Sequence, residues 1–136
     1  MEIKKISIIG GGTMGSGIAT LFAMYGFDVA ILEISESLCQ RSMITIETNN
    51  TKLLQKEKIS KSNYLEIKRN ISFISGINSI DRNSDLIIEA INENKEQKLK
   101  LFRELDTIVK RDAIFASNTS SISITELAQS GRPENF

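Results

Sequence analysis

The sequence contains no histidine and no tryptophan, and only one cysteine and one proline among its 136 residues. Without histidine, the chain by itself lacks the usual side chain for acid–base catalysis and the commonest zinc ligand, so no metal site is expected. A single cysteine, Cys39, cannot form an internal disulfide and is compatible with a reducing cytoplasm, where we expect the protein. The chain enters an apolar strand without a signal-peptide pattern, and no apolar run reaches membrane-spanning length.

Net charge is also missing, because 17 basic residues balance 17 acidic ones. A neutral chain in which 40% of the residues are hydrophobic is typical of a globular domain and gives no reason to expect nucleic acid or a membrane as partner. The balance hides a local imbalance, since residues 37–70 contain seven Lys or Arg against three Glu. This basic segment is either a solvated helical surface or a site for an anionic ligand.

Glycines are concentrated near the start of the chain, in the segment KKISIIGGGTMGSGIA at residues 4–19. Gly10, Gly12 and Gly15 have the G-x-G-x-x-G spacing and directly follow a β-branched run. In a strand–turn–helix unit, the first glycine allows the tight turn, the second lets the backbone approach a pyrophosphate, and the third lets the helix pack closely. The segment therefore predicts a dinucleotide site, with packing alone as the competing explanation.

The residues after the glycines have helical periodicity. Apolar residues recur on one predicted face of this helix: Met14, Ile18, Leu21 and Tyr25. Further along, strands are predicted at 28–32, 70–75, 85–91 and 113–116, and helices at 36 to about 54, 61–68 and behind Asn94. Ser35 and Asn94 are the expected N-caps, the latter in a capping box with Gln97. The alternation predicts an α/β fold, a Rossmann doubly wound parallel sheet of order 3-2-1-4-5, with a helical arm at about 36–69.

Glu33 ends the second predicted strand, 18 residues after Gly15. An acid at this position accepts hydrogen bonds from the adenosine ribose hydroxyls and repels a 2′-phosphate, which favours NAD over NADP. Polar residues also follow the fourth and fifth strands, at the sheet edge where such folds bind ligands. These are Asn92, Glu93, Lys98, Asn118, Thr119 and Ser120. Asn118, Thr119 and Ser120, which follow the fifth strand, are equally typical of a capped turn before a helix.

Four blocks of the sequence resemble the NAD-binding domain of the 3-hydroxyacyl-CoA dehydrogenases, including the 3-hydroxybutyryl-CoA type. They are IIGGGTMGSGIA, the strand-end acid in ILE, DLIIEAINENKEQKLKLF, and ASNTSSISITELA followed by RPENF. The resemblance covers essentially all of residues 1–136 and implies one NAD-binding Rossmann domain. It also implies NAD as cofactor, an acyl-CoA as substrate, and hydride transfer between NAD and C3 of a 3-hydroxyacyl-CoA in fatty acid and butanoate metabolism.

The resemblance also implies roles for individual residues. Ser120 matches the family's serine beside the nicotinamide and the substrate 3-oxygen, and Lys56 falls near its CoA-phosphate lysine. The cofactor-binding positions of the family correspond to Gly10, Gly11, Gly12, Thr13, Met14, Gly15, Glu33, Glu93, Lys98 and Ser120.

One departure separates this sequence from the family pattern. The family continues into a His-Phe-Phe-Asn-Pro strand that bears the general base, and then into a helical domain for substrate binding and homodimer formation. Neither is found in these 136 residues. The chain alone is therefore expected to bind NAD without turnover. Two alternatives remain: a non-catalytic NAD-binding or sensing module, and another Rossmann hydroxy-acid dehydrogenase, such as the 6-phosphogluconate type.

Overall fold

The computed structural model describes residues 2–117 and 133–135. Its sheet contains five strands in the order β3-β2-β1-β4-β5, and every neighbouring pair is parallel. The strands are β1 Lys5–Ile9, β2 Asp28–Glu33, β3 Ile71–Ser75, β4 Leu86–Glu89 and β5 Ile114–Ser117. The predicted α/β fold and strand order are therefore confirmed. The order reverses between β1 and β4, and the glycine turn leaves the sheet at that point.

Three of the four α-helices that the structure describes begin where a short polar side chain accepts a hydrogen bond from one of their first N–H groups. The four helices are α1 Thr13–Met24, α2 Glu36–Gln55, α3 Lys61–Asn70 and α4 Lys95–Ile108, with 3₁₀ turns at Ile77–Ser79 and Pro133–Asn135. Ser35, Ser60 and Asn94 cap α2, α3 and α4 by accepting hydrogen bonds from N–H groups three residues on. Both predicted caps are confirmed. Only half of the predicted capping box forms, because the Asn94 N–H donates to the Asn92 carbonyl.

Two hydrophobic cores lie on opposite faces of the sheet, as strand alternation requires. On one face, α4 packs Phe102 and Leu105 against Phe115 and Ile87, all of them almost fully buried. On the other face, the side chains of Ile8 and Ile31 meet the helices that follow β1 and β2. Both faces of the central strands are thus covered, and ligands can reach them at the carboxyl edge.

The apolar face predicted for α1 is mostly exposed and is not the face that packs against the sheet. Met14, Leu21 and Tyr25 are 56%, 52% and 73% exposed, and Ile18 is half-buried. The residues that face the sheet are small: Gly15, Ser16, Ala19 and Ala23. Small side chains let α1 approach β1 closely, which bulky ones would prevent.

The basic segment forms a helical hairpin of α2 and α3. Ile46 of α2 and Ile67 of α3 are buried in the core, so much of this predicted arm packs on the domain. The two helices are joined by a 2.5 Å hydrogen bond from the Tyr64 hydroxyl to Glu47. Lys56 caps the carboxyl end of α2 and is exposed in the turn that follows. Across the described part of the chain, no helix is long and apolar enough to cross a membrane.

Candidate functional site

The three glycines of the turn have three different surroundings. Gly10 has a φ of +105°, which L side chains rarely adopt, and a Cβ there would lie 2.8 Å from the Ala90 carbonyl oxygen. A Cβ on Gly15 would lie only 1.9 Å from the Gly10 carbonyl oxygen, so this glycine lets α1 pack against the turn. A Cβ on Gly12 would meet nothing within 4 Å. Packing therefore explains Gly10 and Gly15, whereas Gly12 leaves an open space.

That open space lies at the amino end of α1. Gly12 is the N-cap of this helix and supplies no capping side chain, and the first turn contains no acidic residue. The other three long helices all have side-chain caps. The first N–H groups of α1 and the positive end of its dipole are thus left for an anion from outside the helix.

Glu33 ends β2 beside the turn, as predicted. Its Oε1 accepts a 2.5 Å hydrogen bond from the Gly11 N–H, which joins the end of β2 to the glycine turn. Its Oε2 accepts no hydrogen bond from the residues that the structure describes. The half-buried carboxylate can therefore support the turn with one oxygen and receive a ligand hydroxyl with the other.

A cleft of about 630 Å³ connects Gly12 and Glu33 with the start of α4. This volume is in the usual range for a small-molecule site. Its apolar wall includes Ile34, Leu38, Ile77, Ile91 and Leu101. Ile34 is 83% exposed, although it directly follows the strand-end acid. This wall was not predicted from the sequence, although an apolar residue immediately after Glu33 is a signal that could have indicated it.

A buried polar network closes the β4 and β5 side of the site. The Lys98 Nζ is 0% exposed and lies 3.1 Å from Glu89 Oε1 and 3.0 Å from Glu93 Oε1. The fully buried Glu89 also accepts hydrogen bonds from the Ile91 N–H, at 2.7 Å, and the Ser117 hydroxyl, at 2.5 Å. Glu93 and Lys98 are thus brought together as ion partners, and their predicted contact with the cofactor stays a prediction.

Glu89 was missed in the sequence, although a carboxylate inside the apolar run DLIIEAI was a visible signal. A buried charge in such a strand needs charged or hydrogen-bonding partners, and this one has them.

The remaining predicted site residues are not gathered at the cleft. Lys56 lies 14 residues after Ser42 on α2, roughly 21 Å along a helix that touches the turn at Ser42. Ser120, Asn118 and Thr119 fall outside the described residues. No group of three or more potential metal ligands occurs within ranges 2–117 and 133–135.

Cys39 follows Leu38 of the cleft wall in the sequence and is buried. Burial is the main cause that raises the pKa of its thiol, whose Sγ donates a 3.3 Å hydrogen bond to the Ile74 carbonyl. A thiol with a raised pKa is a poor nucleophile, so its role here is packing.

Comparison with known proteins identifies the family. Residues 5–136 match the family described as "3-hydroxyacyl-CoA dehydrogenase, NAD binding domain". The chain belongs to this family. The 3-hydroxybutyryl-CoA dehydrogenase of Clostridioides difficile is 40% identical over 126 residues, which are 93% of this chain and 44% of that protein. The mitochondrial hydroxyacyl-coenzyme A dehydrogenase of Homo sapiens is 35% identical over 131 residues, which are 93% of this chain and 42% of that protein.

Solved structures agree with these sequence relatives. The crystal structure of FadB2 from M. tuberculosis matches with a TM-score of 0.94 and 31% identity, over 99% of this chain and 48% of that chain. (S)-3-hydroxybutyryl-CoA dehydrogenase PaaH1 from Ralstonia eutropha matches with a TM-score of 0.89 and 35% identity, over 96% and 46% of the two chains. The chain thus spans somewhat less than half the length of these relatives.

Proposed function

We propose that this domain binds NAD and serves hydride transfer between NAD and C3 of a 3-hydroxyacyl-CoA, as its relatives' names imply. The observation that carries the proposal is the open space at Gly12, between the uncapped end of α1 and the carboxylate of Glu33. A glycine turn that served only for packing would not require an open space at this position.

The residues around this space fit the parts of NAD. Glu33 would bind the adenosine ribose through its second oxygen, and the same charge disfavours the 2′-phosphate of NADP. The turn and the start of α1 would hold the pyrophosphate. Ile34 and Leu38 offer an apolar surface for the adenine. The nicotinamide would then lie toward β4 and β5, near Glu93, Lys98 and Ser120.

When bound, NAD supplies the hydride acceptor. The chain's own contribution would be binding and orientation, with Ser120 as hydrogen-bond donor to the substrate 3-oxygen. No side chain in these 136 residues offers the histidine base of the family. We therefore expect the 136-residue chain to bind NAD with little or no turnover. In a full-length family member, a cytoplasmic homodimer would complete the reaction, and the lysines around Lys56 would hold the phosphates of acyl-CoA.

The experiment compares Gly12→Ala with Gly17→Ala. Both glycines have room for a Cβ, and neither has a positive φ, so both variants should fold. The added methyl at position 12 enters the proposed pyrophosphate site. We expect NAD affinity, measured by titration calorimetry, to fall by at least about tenfold. Gly17 lies within α1, where alanine should stabilise the helix and leave NAD affinity unchanged.

Each other outcome has a meaning. Equal NAD affinity in the two variants would show that the space at Gly12 is not the cofactor site. Tighter binding of NADP than NAD would favour another Rossmann hydroxy-acid dehydrogenase. Binding of NAD without any affinity for acyl-CoA would favour a non-catalytic sensing module.

A further inference from the structure

The peptide that joins Gly11 to Gly12 is held by side chains from two helices. Its carbonyl oxygen, on Gly11, accepts a 2.8 Å hydrogen bond from the Ser16 hydroxyl and a 2.9 Å hydrogen bond from the Ser42 hydroxyl. Both serines are 5% exposed. A carbonyl oxygen has two lone pairs, so these two hydroxyls use its full capacity.

Ser42 belongs to α2 and lies 31 residues beyond Gly11 in the sequence. A Cβ on Gly11 would lie 2.2 Å from the Ser42 Oγ and 2.9 Å from its Cβ. α2 therefore packs directly against the backbone of the turn, and the absence of a side chain on Gly11 makes this contact possible. The first turns of α2 are thus part of the wall behind the glycine turn.

Anchoring this carbonyl also fixes a donor. In a trans peptide the C=O and the following N–H lie in one plane and point in opposite directions, and no described peptide bond is cis. The Gly11 carbonyl points inward to two buried hydroxyls. The Gly12 N–H, which belongs to the same peptide, is consequently turned away from them, on the side where Gly12 is exposed.

We propose that Ser42 is a positioning residue for cofactor binding: together with Ser16, it holds the Gly11–Gly12 peptide so that the Gly12 N–H faces the pyrophosphate. This inference rests on the proposed function and adds a residue to it from outside the glycine motif. Glu33 holds the preceding peptide, between Gly10 and Gly11, by accepting a hydrogen bond from the Gly11 N–H. Two consecutive peptides of the turn are therefore held in place without a ligand. Such preorganisation lowers the cost of ordering the turn on binding.

The test separates ligands that contain a pyrophosphate from one that does not. Ser42→Ala removes one of the two donors, and we expect affinity for NAD and ADP-ribose to fall about three- to tenfold. Affinity for adenosine, which has no phosphate, should stay within about twofold. In ¹⁵N-labelled protein without ligand, the Gly12 amide resonance should also shift, because the peptide loses part of its anchor.

Thr45→Ala is the matched control. Thr45 lies on the same helix, is exposed, and its hydroxyl donates only within the helix, to the Arg41 carbonyl at 3.0 Å. It should change neither ligand affinity nor the Gly12 resonance. Thermal unfolding of both variants shows whether each one folds. Should Ser42→Ala fail to fold, Ser16→Ala removes the other donor and must give the same separation of ADP-ribose from adenosine.

The outcomes distinguish this proposal from the proposed function. If the unaltered chain binds neither NAD nor ADP-ribose, the proposed function itself fails. If it binds them and Ser42→Ala binds them as well as Thr45→Ala does, the role of Ser42 is overturned and the cofactor site stands. An equal loss of adenosine and ADP-ribose affinity would also overturn it, because a purely structural defect acts on both.

Discussion

Replacing Lys98 by methionine tests whether the buried network organises the carboxyl edge of β4 and β5. The substitution keeps a long unbranched side chain and removes the ammonium group. The structure places that ammonium at 0% exposure, within ion-pair distance of Glu89 and Glu93, with no hydrogen bond of good geometry to the described residues. The contact is therefore predominantly Coulombic, and its loss leaves Glu89 buried without its cation.

The magnitude follows from the burial. Breaking a buried ion pair by removing one partner costs about 3–5 kcal/mol, because the remaining charge has left water without compensation. The free energy of unfolding of a domain of this size is about 5–15 kcal/mol, so this loss would be a large fraction of the total stability. At roughly 3–5 °C per kcal/mol, the melting temperature should fall by about 10–25 °C. Adding Glu89→Gln to Lys98→Met should recover part of this loss, since the orphaned carboxylate is then neutral.

Urea unfolding followed by circular dichroism measures the free energy of unfolding of each variant. Lys100→Met is the matched control, because Lys100 lies on the same helix with its side chain 79% exposed and 3.9 Å from Glu104. An exposed pair of this kind is worth under about 1 kcal/mol. Equal losses for the two lysines would refute the reasoning, as would a double variant no more stable than Lys98→Met alone.

Two further predictions concern the amino end of the sheet and the basic hairpin. The hydrogen bond from Lys110, together with those from the Lys4 and Lys5 N–H groups, lowers the pKa of Asp85 far below its usual range. Because the folded pKa lies below the unfolded value of about 4, this stabilisation is present above that pH and is lost as pH falls toward the folded pKa. Asp85→Asn should therefore flatten the decline of unfolding free energy below about pH 5, and unchanged pH curves in urea titrations would contradict this. CoA should protect the exposed turn after Lys56 from proteolysis in low salt only; Lys56→Gln should weaken the protection and Lys68→Gln, farther along α3, should not.

Much of the fold could be predicted because its determinants are local. β-branched runs bounded by glycine and polar residues marked the strands, and Ser35 and Asn94 marked the starts of α2 and α4. Which face of α1 packs against the sheet could not be predicted in the same way. Its buried face consists of glycine, serine and alanine, which contribute little hydrophobic periodicity, whereas Leu21 and Tyr25 on the exposed face contribute much of it.

Residues of the candidate site could be predicted from the sequence only where they belong to a motif. Spacing predicted Gly12 and Glu33 as cofactor-binding residues, and the geometry leaves each of them room for a ligand. Ser42 and Ile34 belong to no motif: Ser42 matters because it contacts a turn far away in the sequence, and Ile34 because it lines the cleft. Such tertiary contacts are set by how α2 returns over the sheet, which periodicity does not specify.

The two strand-end acids show why residue type alone did not indicate which carboxylate has both oxygens occupied by partners within the chain. Glu33 ends β2 and Glu89 ends β4, and each accepts a hydrogen bond from a backbone N–H of a loop at the carboxyl edge, Gly11 for one and Ile91 for the other. Beside Glu89, the buried Lys98 and Ser117 occupy the remaining acceptor. Beside Glu33, which lines the cleft, the described residues supply no such donor to the second oxygen. The neighbouring donor therefore decides which carboxylate keeps an oxygen available for a ligand, and that neighbour is known only once the strands are placed side by side.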